Sequence, residues 1–99
     1  MNYIEVNGGN KFQKEIAYKV VEFCIKELMP RFRTLDITVN IKKIKSDAVG
    51  YCMMEDTNRE FEIEVSKELS LKEFISTLTH EMVHVKQYAR NEMDGCGGR

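Results

Sequence analysis

From Lys11 to Met29 the apolar residues Phe12, Ile16, Val20, Phe23, Cys24 and Leu28 recur at mostly three- and four-residue intervals, the spacing of one face of an α-helix. Ala17, Val21 and Ile25 widen the stripe, so this helix is expected to bury a broad face. The preceding "NGGN" (7–10) breaks the chain and leaves Asn10 as a cap, and Pro30 helps to end the helix, because the residue before a proline disfavours the helical region. "YIEV" (3–6) reads as a short strand. In "LDITVNIKKI" (35–44) the period changes to two, with Ile37, Val39 and Ile41 on one side and Thr38, Asn40 and Lys42 on the other, as in a half-buried strand. "AVGYCMMED" (48–56) and "REFEIEVS" (59–66) read as a hairpin closed around Asp56, Thr57 and Asn58. Its second arm turns Phe61, Ile63 and Val65 inward and Glu60, Glu62 and Glu64 to water, with Lys42, Lys43 and Lys45 available as cross-strand partners.

"SLKE" (70–73) is a capping box, Ser70 as cap and Glu73 three residues on. It predicts a last helix from Leu71 to about Asn91 with the core stripe Leu71, Phe74, Ile75, Leu78, Met82, Val85 and Ala89. The glycine-rich "DGCGGR" cannot continue it. These elements predict one α+β domain over residues 1–99: a buried N-terminal helix, a small, mostly antiparallel sheet with a hairpin, and a C-terminal helix packed on it.

Composition narrows the partners. Ninety-nine residues make one domain. Fifteen basic against sixteen acidic residues leave a net charge near −1, with no excess to hold a phosphate backbone, so no nucleic acid is implied. "MNYIEVNGGN" lacks the cationic and apolar regions of a signal peptide, and no apolar run is long enough to span a membrane. Three cysteines, Cys24, Cys52 and Cys96, are an odd count without close pairing, which points to a reducing cytoplasm. Cys24 reads as core and Cys52 as a strand residue, and Met29, Met53, Met54 and Met82 read as packing.

The chemistry is concentrated in "STLTHEMVHVKQYARNEM" (76–93), which holds both histidines of the chain, His80 and His84, with Glu81 directly after the first. Chance places two histidines four apart, with Glu after the first, in about two or three of a thousand arrangements of this composition. On a helix these imidazoles stand about 40° apart around the axis and ~6 Å apart along it, so both can reach one ion with Zn–N bonds of about 2.0–2.1 Å. Met82, between them in sequence, belongs to the core stripe. The histidine face, with Glu73, Thr77, Gln87 and Asn91, is a polar strip suited to lining a cleft. Glu81 is rotated by about 100° from His80, which suits it to serve as general base for a water on the metal and not as third ligand.

"TLTHEMVH" (77–84) resembles the active-site helix of the zincin metallopeptidases. It is most similar to the SprT-like group, whose helices often read T-L-x-H-E-M-x-H, and to small phage-encoded metallopeptidases. The specific similarity covers about a dozen residues, from Ser76 to Tyr88; the order helix, strands with a hairpin, HExxH helix matches the minimal zincin core. The resemblance implies a Zn2+-dependent endopeptidase acting on a peptide or protein substrate, with His80 and His84 as ligands, Glu81 as base and the arm 49–55 as a sheet edge for substrate. Tyr88, four residues after His84, could donate to the oxyanion, or simply pack. For a phage protein the expected location is the host cytoplasm.

The sequence departs from that family after the helix. SprT-like proteins take their third ligand from a His in a turn, gluzincins from a Glu on a following helix, and this chain has no third His. Cys96, between Gly95 and Gly97, stands where the SprT-like turn places its His and is ranked first. Glu92 is second, because a straight helix carries it about 12 Å beyond His84, and Asp94 is a further option. A C-terminal segment carrying the ligand, absent from this chain, is another, as is a catalytically inactive zincin-like fold acting as a binding module.

Overall fold

In the computed structural model, which describes residues 2–44, 50–54 and 59–90, two helices cover one face of a four-stranded mixed sheet. The order is β1 (Tyr3–Gly8), α1 (Lys11–Leu28), β2 (Asp36–Lys42), β3 (Gly50–Met54), β4 (Glu60–Ser66) and α2 (Leu71–Ala89). No described helix is long and apolar enough to cross a membrane.

Both helices begin as the sequence predicts. Asn10 and Gln13 form one capping box and Ser70 and Glu73 the other, each satisfying backbone N–H groups that the first turn leaves unpaired. Gly8 and Gly9 make the turn between β1 and α1 with φ of 80° and 68°, a region that side chains disfavour. A Cβ on Gly8 would also stand 2.1 Å from the Ile41 carbonyl oxygen.

The strand order is β1-β2-β4-β3. β1 pairs with β2 and β2 with β4 in parallel, and only β3 runs antiparallel, along β4. The expectation of a mostly antiparallel sheet is therefore wrong. α1 carries the chain back between β1 and β2, a crossover that returns the next strand in the same direction. β4 then inserts between β2 and β3. The two arms of the expected hairpin do pair, its turn at Asp56, Thr57 and Asn58 lying outside the described residues, but they contribute only one of the three pairings.

The core lies between the sheet and the helices. Ile37, Val39 and Ile41 of β2 and Phe61, Ile63 and Val65 of β4 meet Ala17, Val21, Cys24 and Ile25 of α1 and Phe74, Leu78, Met82, Val85 and Ala89 of α2. The two helical stripes are narrower than expected. Phe12 and Phe23 are 55% and 63% exposed, and Leu71 and Ile75 are 49% and 36% exposed, because each helix turns those residues away from the sheet. Met29 and Met82 pack in the core as expected, whereas Met53 and Met54 on β3 are exposed.

The other face of the sheet is mostly polar, with Tyr3, Tyr51 and Met53 exposed among its charged and amide side chains. Asn7 donates to Asn40, Asn40 to the Glu62 carboxylate, and Lys42 sits 3.5 Å from Glu64. Of the expected Lys–Glu pairs this one forms, Lys45 lying outside the described residues, and such half-exposed pairs contribute little stability. At the far end Arg59 donates to the Ala89 carbonyl (3.0 Å) and stacks on Phe32 (4.6 Å). It thereby caps the last turn of α2 with a cation, where the helix dipole favours one.

Candidate metal centre

α2 presents three sides to three environments. Phe74, Leu78 and Val85 enter the core. The side about 100° round from His80, where Glu81 lies, meets β3. His80 and His84 lie beyond it, one exposed and the other half-buried.

The two imidazoles converge. Their Nε2 atoms are 3.2 Å apart, and the rings meet edge to face with centroids 4.7 Å apart. Nδ1–H of His84 donates to Gln87 Oε1 at 3.2 Å. That bond leaves the Nε2 lone pair of His84 facing His80. Two nitrogens held at about 2.0–2.1 Å by one tetrahedral ion stand ~3.3–3.4 Å apart, so the observed separation is that of a hydrogen bond from His80 Nε2–H to His84 Nε2 and is also compatible with a shared zinc. Gln87 was legible only as part of the polar strip. Its place three residues after His84 on the same face is the signal for its orienting role.

Glu81 is only 7% exposed. β3 covers that side of the helix. The approach depends on Gly50: a Cβ there would meet Thr77 Cγ2 at 2.7 Å, the Glu64 carbonyl oxygen at 3.1 Å and Glu81 Oε2 at 3.7 Å. Nothing in the sequence singled out Gly50. Two residues along β3, Cys52 has its thiol pushed up to about 12, first by burial and then by the negative charge of Glu81. Burial also raises the Cys24 thiol, against a hydrogen bond with Thr79. Cys24 is a core residue and Cys52 a strand residue, as expected.

Gly50→Ala is expected to destabilise the protein by about 1–3 kcal/mol, the scale of overpacking a tight contact. In a Thr77→Ser background, which removes the opposing methyl, the cost should shrink. Urea unfolding of the four proteins measures the coupling, and equal costs in both backgrounds would show that the Gly50–Thr77 contact is not the constraint.

Tyr88 is half-buried with its ring 6.3 Å from that of Phe61, so at least one of its roles is packing. Cys96, Glu92 and Asp94 lie outside the described residues. Among the described residues no group of three His, Cys, Asp or Glu side chains forms a metal cluster. No protein-family model matches the chain, and no curated protein or solved structure matches it.

Proposed function

We propose that the chain is a zincin-like, Zn2+-dependent metallopeptidase. The observation that carries the reading is the approach of the two Nε2 atoms to 3.2 Å, with Gln87 fixing the tautomer of His84. His80 and His84 hold the ion in this proposal. When bound, zinc supplies a Lewis acid that acidifies water and polarises a peptide carbonyl. Glu81 accepts the water's proton and passes it to the leaving amine. Burial of Glu81 against β3 limits the rotamers of its carboxylate.

β3 ends the sheet among the described residues. An extended peptide adding to its outer edge satisfies its own backbone hydrogen bonds on that strand, and β3 already packs against the Glu81 side of α2. The competing reading, a catalytically inactive zincin-like module that binds without cleaving, rests on the lack of a third histidine in the sequence.

Cobalt tests the metal centre and its third ligand together. Chelator-treated protein is expected to take up one equivalent of cobalt. If Cys96 completes the set, a thiolate charge-transfer band appears and is lost in Cys96→Ser. A spectrum without that band, at unchanged affinity in the mutant, transfers the role to Glu92, Asp94 or a water. No uptake at all refutes the metal reading.

A further inference from the structure

Along the outward faces of α1 and α2 runs an apolar seam that the histidine site does not use; Ile16, Val20 and Leu69 in it are partly buried against the core, and Phe12, Phe23, Leu71 and Ile75 are exposed. At one end Phe12, Ile16, Leu69 and Leu71 line a groove; at the other Ile16, Val20, Phe23 and Ile75 line a second, of about 290 Å³. Ile16 belongs to both, so the seam is continuous along α1. Phe12 and Phe23 stand up at its two ends.

We propose that this seam is a homodimer interface, with α1 packed antiparallel on α1 of a second copy of the chain. The area matches. Aromatic side chains contribute about 200 Å² each when fully buried; scaled by their exposures and joined by Leu71, Ile75 and the rims of Ile16 and Val20, the seam offers roughly 450 Å² of apolar surface. An interface of standard size takes about 800 Å² from each partner, some 60% of it apolar, which is nearly the same figure.

The pattern along α1 is also self-complementary, as a two-fold interface demands. Centring the antiparallel pair between Ala17 and Tyr18 sets Phe12 opposite the partner's Phe23, and Phe23 opposite the partner's Phe12. The same register brings Lys19 to within one residue of the partner's Glu15, twice over by symmetry. A groove of this composition therefore finds both its apolar ridge and its opposite charges on a second copy. Ile75 and His84 are nine residues apart on α2, about 180° around the axis, so the dimer leaves the histidines open.

Sedimentation velocity on chelated protein, from micromolar to hundreds of micromolar, tests this. Wild type is expected to run at twice the chain's mass in the upper part of that range. Phe23→Glu, at an exposed position, should keep the helical circular dichroism and raise the dimer dissociation constant at least ~30-fold, the scale of an interface hot spot. Lys19→Glu should weaken the dimer, and Glu15→Lys added to the same chain should restore it. A wild type that stays monomeric throughout overturns the proposal. So does a Phe23→Glu protein that dimerises like wild type, or a Lys19→Glu defect that Glu15→Lys does not repair.

Discussion

His80→Ala and His84→Ala are each expected to abolish zinc binding at micromolar metal while leaving the protein folded. Loss of a residue that only orients a ligand typically costs ~10–100-fold in metal affinity, so removing a ligand itself should cost more. Gln87→Leu supplies the graded control: it removes the acceptor for His84 Nδ1–H and should fall within that smaller range. Folding should survive because His80 is exposed and His84 half-buried, on a side of α2 away from the core. The measurement is zinc titration into chelated protein, paired with thermal unfolding. Zinc at a hundred times its dissociation constant adds about 2.7 kcal/mol to wild-type stability, and either alanine variant should lose that increment. If both variants bind zinc as wild type does, the ion sits elsewhere and the proposed function falls with it.

Glu81→Gln should separate binding from chemistry. Glutamine keeps the volume that packs against β3, so the fold and both imidazoles should remain. It cannot accept a proton at neutral pH, and loss of general-base help costs ~10²–10⁴-fold in rate. The assay is turnover of an unfolded protein or a peptide library by wild type and mutant, each with its zinc content determined. Equal cleavage by both proteins would remove Glu81 from the base role. Zinc-loaded wild type that cleaves nothing would favour the non-catalytic binding module. A readout independent of turnover is the Cys52 thiol. The Glu81 charge is one of the two causes that raise it, so the neutral glutamine should bring its pKa down, and burial should still keep it above the ordinary range.

Local signals carried the element boundaries. The capping residues Asn10 and Ser70 start their helices where the sequence places them, and the alternation in β2 and β4 assigns Ile37, Val39, Phe61, Ile63 and Val65 to the core. The direction of the strands was not legible. Strands in parallel sheets usually have both faces covered and read as continuous apolar runs. Among the described residues helices cover one face only, so parallel strands keep the apolar–polar alternation that suggests antiparallel pairing. The apolar stripe of α1 hid a second ambiguity: Phe12 and Phe23 share helical spacing with the buried residues, but packing selects Ala17, Val21, Cys24 and Ile25. At the site, the i, i+4 histidines and Glu81 were visible because their relation lies within one helix. Gly50 and Cys52 were not, because their relation to Glu81 depends on which strand runs beneath α2.

The insertion of β4 between β2 and β3 also governs how the chain reaches this structure. Asp36 pairs with Tyr3 on one side and with Glu60 on the other, so both neighbours of the central strand β2 are distant in sequence. Among the described elements only the two helices and the β3–β4 hairpin can form from nearby residues. Such non-local pairing raises contact order and slows folding relative to a helical bundle of the same size. During synthesis β2 has a partner on one edge as soon as β1, α1 and β2 are out, and its other edge stays open until Ser66 has been made. Over that interval Ile37, Val39 and Ile41 lack the α2 side chains that later cover the sheet. The emerging chain is thus most prone to aggregate just before its C-terminal third arrives.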